Sequence, residues 1–298
     1  MKILNFGSLN LDYVYQVDHF VKPGETLNAI EQSVHPGGKG LNQSIALARA
    51  GAEVYHAGCL GKGGEMLEQL LLENGVHTDF LQKTDTLQGN AVIQVNREGQ
   101  NCILLFGGSN RCVTPVQVES TLSHFHPGDF LVLQNEINEL PHIVDAARAR
   151  GMKILLNPSP YDAGLNSVDF GKLDWLIVNE VELEQFSHCA DPEAAWKKTR
   201  AEYPGLCLLV TLGSAGSIAF TPEETVHQPA FPVKAVDTTG AGDTYTGYFV
   251  ALLARQQSLE SCMRQASMAS AISVTRPGAA SSVPDAEEVR QHLLQFQN

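Results

Sequence analysis

The sequence has no run of about 18 apolar residues, the length a helix needs to cross a bilayer, so no membrane span is expected. It is also short of basic residues. Lys and Arg total 20 against 33 Asp and Glu, a formal net charge of −13. That balance argues against nucleic acid or anionic membrane as partner. It also constrains any nucleotide site, which would have to rely on backbone amides, helix ends and a metal ion. The six cysteines (Cys59, Cys102, Cys112, Cys189, Cys207, Cys262) are scattered and form no CxxC pair. They read as small core residues in a reducing, cytoplasmic setting, with no zinc site. No histidine cluster has metal-ligand spacing, and no GxSxG turn marks a serine nucleophile. The P-loop pattern is missing, and Gly7-Ser8-Leu9-Asn10 after the first apolar run does not make GxGxxG, which weakens a dinucleotide oxidoreductase reading. Repeats and low-complexity segments are absent too. The opening residues Met1-Lys2-Ile3-Leu4-Asn5-Phe6 turn polar by Asn10 and Asp12, too soon for a signal peptide, and read as a strand.

What is present suits one large α/β domain of 298 residues, 43% of them hydrophobic. Short apolar runs at 3–6, 130–133, 154–156, 175–178, 206–210 and 217–220 predict buried strands. Between them, helical periodicity predicts helices over 40–50, 65–74, 115–125, 141–150, 181–187, 193–203, 242–255, 259–274 and 286–296. Fully apolar strands separated by helices predict a three-layer fold, a mainly parallel sheet between helices. Segments near 12–17, 27–35 and 90–106 alternate instead, and the last carries Arg97-Glu98-Gly99-Gln100 between its halves, a hairpin signature. These pieces predict a small projecting sheet that would serve as a lid, a dimer surface or both, or else extend the edge of the main sheet.

Several predicted strands end in a polar residue: Asn10 and Asp12 after the first, then Gln134-Asn135-Glu136, Asn157, Asn179-Glu180 and Thr211. Each one alone reads equally as a loop start or a helix cap. Together they mark the carboxyl edge of the sheet, where open α/β folds bind ligands.

Two glycine-rich stretches precede helices. In Val236-Asp237-Thr238-Thr239-Gly240-Ala241-Gly242-Asp243-Thr244 the small residues would let an anion approach the unpaired amides of a helix start. Asp243 is ill suited to holding an anion and well suited to taking a proton from a hydroxyl beside it. In His35-Pro36-Gly37-Gly38-Lys39-Gly40-Leu41-Asn42-Gln43, Asn42 offers both donor and acceptor, which suits a polyol. Both stretches also fit ordinary glycine-rich helix caps. Asn10 and Asp12 could hold further hydroxyls, Glu136 could hold another or bond Lys39, and Asn179 with Glu182 could orient a metal ion through water.

The two stretches, in this order and separation, resemble the paired signatures of the ribokinase-like (PfkB) carbohydrate kinase family. The likeness extends over essentially the whole chain. It includes Gly7–Asp12, the segment around Asn179 and Glu182, Thr211-Leu212-Gly213-Ser214-Ala215-Gly216 and Thr275-Arg276-Pro277-Gly278-Ala279. The resemblance implies an ATP-dependent sugar kinase with Asp243 as catalytic base and Gly240, Ala241 and Gly242 as the anion hole. It implies a sugar site of Asn10, Asp12, Gly38, Lys39, Asn42 and Glu136. ATP would lie along Asn179, Thr211, Gly213, Ser214, Gly216 and Gly242, with Glu182 near the water shell of Mg²⁺. A K⁺ ion would sit at Asp237, Thr239, Val274, Pro277, Ala279 and Ser282. The sugar-site residues look most like the ribose-phosphorylating branch, giving ribose 5-phosphate, and pairing of lid sheets implies a homodimer. Other branches, acting on deoxyribose, fructose or nucleosides, stay open, as does a silent sugar-binding regulator. Ser267, where a larger residue is common, and Asn135, where an apolar one is common, depart from the pattern.

Overall fold

The computed structural model describes residues 1–296. In chain order, β1 (Ile3–Phe6), β2 (Asn10–Gln16) and β3 (Glu31–Gly37) lead into α1 (Lys39–Arg49). Then come β4 (Val54–Lys62), α2 (Glu65–Glu73), β5 (His77–Leu87), β6 (Asn90–Val95), β7 (Asn101–Phe106) and α3 (Pro115–Leu122). β8 (Phe130–Gln134), α4 (Leu140–Ala149), β9 (Lys153–Asn157), β10 (Trp175–Asn179), α5 (Glu180–Ser187) and α6 (Pro192–Glu202) follow. The chain finishes with β11 (Cys207–Thr211), β12 (Ser217–Phe220), β13 (Thr225–Gln228), α7 (Ala241–Leu253), α8 (Leu259–Ser273) and α9 (Ala286–Gln295).

Nine strands form the main sheet in the order β13-β12-β11-β10-β9-β8-β1-β4-β5. All neighbours from β5 to β11 run parallel; β12 and β13 are added antiparallel at one edge. The side chains obey the period of two. Ile3, Val132, Leu155, Ile177 and Leu209 belong to one core, whereas Leu4, Leu133, Leu156, Val178 and Val210 belong to the other. Both faces are therefore buried, which is why these strands read as unbroken apolar runs. Among the described residues no helix is long and apolar enough to cross a membrane.

Three strands of the main sheet, β4, β5 and the edge strand β13, went unpredicted. β4 carries His56, Gly58 and Gly61 inside a largely buried run, so its apolar signal is broken. β5 lies at the sheet edge with mostly exposed residues. The alternating segments make a separate four-stranded sheet, β3-β2-β6-β7, not an extension of the main one. Its β3 begins at Glu31, later than the expected start at 27.

α1 and α7 cross on one face at very close range. A Cβ on Gly247 would lie 2.4 Å from the Ala46 Cβ and 2.9 Å from the Leu47 nitrogen, so only glycine admits this approach. The crossing sets the helix that carries Asn42 and Gln43 against the helix that carries Asp243.

Candidate active site

Asp243 lies in the first turn of α7, buried. Its Oδ2 accepts from Asn42 Nδ2 at 3.0 Å and its Oδ1 from Gln43 Nε2 at 2.9 Å. Asn42 Oδ1 is buried and meets no donor among the described residues, which leaves it available to accept from a ligand hydroxyl. Gly240 begins α7 with φ 72, a left-handed conformation that glycine takes without strain. No side chain caps this helix. Of the amides expected to form an anion hole, that of Ala241 is turned back onto the Thr238 carbonyl at 3.3 Å. Those of Gly242 and Asp243 have no backbone acceptor among the described residues, and Gly242 is exposed to the cleft beside it.

That cleft has a volume of about 850 Å³ and brings together all six residues expected along a nucleotide: Asn179, Thr211, Gly213, Ser214, Gly216 and Gly242. Its other wall was not anticipated. Phe231, Val233 and Ala235, from the irregular segment before α7, face Ser267 and Ala271 of α8 and supply the apolar lining that a flat ring needs. Asn179 also caps α5: its Oδ1 accepts from the Glu182 amide at 2.9 Å, and Glu182 Oε2 accepts from the Asn179 amide at 3.0 Å. One carboxylate oxygen of Glu182 is thus occupied by this capping box. No group of three His, Cys, Asp or Glu side chains that could hold a metal occurs among the described residues. A lone, half-engaged carboxylate fits a hydrated divalent ion whose remaining ligands come from phosphates. A separate hollow of about 820 Å³, lined by Tyr161, Phe170, Phe186 and Tyr203, contains none of these residues.

The sugar-site candidates gather where the small sheet meets α1. Gly38 and Gly40 serve the chain's own packing. A Cβ at Gly40 would lie 2.3 Å from the Ser8 nitrogen, so the β1–β2 turn, not a ligand, occupies that close approach. Glu136 Oε2 accepts from the backbone amide of Lys39 at 3.0 Å and from the Ser8 hydroxyl. It therefore stabilises the start of α1 rather than pairing with the Lys39 ammonium. Burial pushes the Glu136 carboxyl above its ordinary range, opposed by Lys39. Burial alone would depress Lys39, but Asp243, Glu136 and Glu182 together hold its ammonium above the usual value. Lys39 thus feels carboxylates from both halves of the site. Burial, with Glu136 adding to it, raises Asp12 to about 6.

Asn10 is buried and positioned by a residue that sequence reasoning missed. Asn110 donates Nδ2 to Asn10 Oδ1 at 2.7 Å and accepts from the Leu9 amide at 3.0 Å. A backbone N–H can only donate, so the Asn110 amide cannot flip, and Asn10 turns its own Nδ2 away from it.

The loop from Asp237 to Thr239 lies against the loop from Val274 to Ser282, the two segments proposed from sequence to share a monovalent ion. Asp237 accepts from Thr239 N at 2.9 Å, Thr239 Oγ1 at 2.7 Å and Gly278 N at 2.8 Å. Burial pushes its carboxyl up, but these bonds outweigh it and hold it below the usual range. The carboxylate and carbonyls are the right donors for such an ion. Two expected carbonyl ligands differ: Val274 O already accepts from Val236 N and Asp237 N, and Ala279 O from both the amide and the hydroxyl of Ser282. Thr239 and Pro277 keep freer carbonyls.

A model of the pfkB family carbohydrate kinases matches residues 1–286. The chain is 36% identical to the ribokinase of Staphylococcus aureus over 304 residues, covering 97% of this chain and 99% of that relative. It is 31% identical to the deoxyribokinase of Salmonella typhi over 307 residues, covering 98% and 99%. The structure of Arabidopsis thaliana ribokinase complexed with ribose and ATP matches with a TM-score of 0.87 at 29% identity, covering 98% of each chain.

Proposed function

The chain belongs to the pfkB family of carbohydrate kinases, phosphotransferases acting on a sugar hydroxyl, and on that basis we propose that it converts ribose or a close pentose to the 5-phosphate with ATP. One observation carries the reading. Asp243 adjoins the cleft through its neighbour Gly242 and is held by Asn42 of α1, the helix that directly follows β3, the strand paired with Asn10–Asp12. The ribokinases similar over their full length support ribose as the sugar.

In this reading ATP lies along Asn179, Thr211 and residues 213–216, with its ring against Phe231 and Val233. Asn10, Asp12, Asn42 and the free oxygen of Glu136 orient the sugar. Asp243 takes the proton of the primary hydroxyl as its oxygen bonds to the γ-phosphorus and the bond to the β-phosphate oxygen breaks. The amides of Gly242 and Asp243, with the α7 dipole behind them, neutralise charge on the transferred group. Bound Mg²⁺ supplies further charge neutralisation on the phosphates, with Glu182 reaching its water shell. Asp237 and the carbonyls of Thr239 and Pro277 would hold K⁺ beside the anion hole.

The small sheet acts as a lid and as the dimer surface. Strand β7 supports the second role: Ile103, Leu104, Leu105 and Phe106 are each at least half exposed on an edge strand, an aggregation hazard unless a second copy covers it. The six free cysteines support a reducing, cytoplasmic location.

Incubation with ATP, Mg²⁺ and K⁺ and a panel of ribose, 2-deoxyribose, fructose and nucleosides tests the reading, with phosphorylated product read by mass. Ribose is expected to give the highest kcat/KM, with K⁺ replaced by tetramethylammonium lowering turnover. Product from none of them, with tight sugar binding by calorimetry, would leave a silent binding protein.

A further inference from the structure

Beneath α1 a row of amide side chains leads from Asp243 into the sheet. Gln43 Nε2 donates to Asp243 Oδ1 at 2.9 Å and to Asn157 Oδ1 at 3.1 Å. Gln43 Oε1 accepts from Gln134 Nε2 at 2.7 Å, which also donates to Asn5 Oδ1 at 2.9 Å. Asn5 Nδ2 in turn donates to the Gly40 carbonyl at 2.7 Å and to Ser44 Oγ at 2.8 Å. Strand periodicity explains the grouping: Asn5, Gln134 and Asn157 continue the α1-facing rows of Ile3, Val132 and Leu155 on three neighbouring strands.

An amide can normally swap its oxygen and nitrogen, and density alone rarely tells them apart. Here the swap is forbidden at both ends. The Gly40 carbonyl can only accept, so Asn5 must direct Nδ2 at it and Oδ1 at Gln134. Gln134 must then present Nε2 to both of its neighbours, and Gln43 must present Oε1 to Gln134 and Nε2 to Asp243. Independently, Asn157 Nδ2 donates to the Ile177 carbonyl at 2.9 Å, which turns Asn157 Oδ1 toward the same Gln43 Nε2. Both backbone anchors demand the same orientation of Gln43. Gln134 Oε1 is buried and meets no donor among the described residues. That acceptor is left unpaired while the orientation that serves Gln43 is kept.

We propose that Gln43 is a positioning residue for phosphoryl transfer, held in one polarity by Gln134, Asn5 and Asn157 so that an N–H, never a carbonyl, meets the carboxylate of Asp243. The proposal rests on Asp243 being the base. The chain fixes the plane of that carboxylate before the sugar arrives, and positioning of this kind acts on the rate of the chemical step more than on binding.

The test compares Gln43→Met, Gln134→Glu and Gln134→Met with the unaltered protein, measuring kcat, both KM values, ADP affinity by calorimetry and the melting temperature. Ionised Gln134→Glu cannot donate and sets its carboxylate against Gln43 Oε1, opposing the orientation that Asn157 still favours. Both Gln43→Met and Gln134→Glu are expected to lose on the order of 10- to 100-fold in kcat, the scale of a small misplacement of reacting groups, with sugar KM and ADP affinity within about 3-fold. Gln134→Met, which removes the preference without reversing it, should lose less than Gln134→Glu. Raised sugar KM at normal kcat, or equal kcat in the two Gln134 variants, overturns the proposal. If Gln43→Met does not fold, the Gln134 pair decides alone. Absence of turnover in the unaltered protein would instead count against the kinase reading itself, so the two failures are distinguishable.

Discussion

Asn110, which follows the small sheet, donates its side-chain amide to Asn10, 100 residues earlier, at 2.7 Å. The bond joins the return path of the hairpin to the first residue of β2. If Asn10 holds a sugar hydroxyl, Asn110→Leu leaves Asn10 free to rotate. We predict that the sugar KM rises about 5- to 30-fold, the equivalent of ~1–2 kcal/mol for an unmade buried hydrogen bond, with ATP KM unchanged. A parallel rise in ATP KM would mean that Asn110 acts on the fold, not the sugar.

Asp243→Asn keeps the size of the side chain and removes the basic carboxylate, leaving one accepting oxygen where there were two. It also turns an NH₂ toward one of the two donors, Asn42 Nδ2 or Gln43 Nε2. Turnover is expected to fall on the order of 10²–10⁴-fold, the usual contribution of a positioned base, while nucleotide affinity by calorimetry is retained. Near-normal kcat would remove Asp243 from the base role.

Asp12 gives a pH signature. Its carboxyl is raised from 3.8 to about 6 by burial and by Glu136. A raised carboxyl contributes stability that is fully present below about pH 4 and lost as pH rises through about 6. If Asp12 holds sugar hydroxyls, binding is expected to run the other way, because the ionised form accepts them more strongly. Sugar affinity measured without ATP should tighten about 5-fold from pH 5 to 7, roughly the ~1 kcal/mol gained by a charge-assisted bond. Asp12→Asn should bind weakly and flatly across that range; a slope that survives in this variant assigns it to another group.

The edge strand of the small sheet predicts assembly. Leu104, 71% exposed on β7, is the most exposed of its apolar run. Leu104→Glu would place a charge in any apolar interface built on that strand. Light scattering should find a dimer before the substitution and a monomer after it, with the melting curve little changed. A monomer in both cases rules out this surface as the contact.

Much of the fold and part of the site were legible in the residues. Strands buried on both faces are written as apolar runs, and the start of α7 carries its small residues and its acid within one short stretch. The cleft proposed for the nucleotide was readable because strand ends such as Asn179 and Thr211 share one edge of a parallel sheet. β4 was hidden by its own function in the core: His56, held neutral by burial that lowers it to about 3, interrupts the run. Gln43 and Asn110 were hidden for another reason. Their meaning lies in partners far along the chain, and nothing local distinguishes a positioned amide from a solvated one. Glu136 was expected to hold a sugar hydroxyl or bond Lys39; its bond to the start of α1 depends on how the β8 end meets that helix, which spacing does not encode.

The contact of Gly247 with Ala46 and Leu47 has a consequence for how such an enzyme can change. Because α1 and α7 touch backbone to backbone, the acid and the amides that hold it form a single inherited unit, intolerant of added bulk. The strand carrying Asn10 and Asp12 belongs to a different sheet, where Gly37, Gly38 and Gly89 make the close approaches instead. If Asn10 and Asp12 hold the sugar, substitutions on that strand would alter which sugar is accepted while α1 and α7 keep their crossing. In that reading β2 and its neighbours, not the α1–α7 crossing, are the place to begin directed evolution of substrate choice.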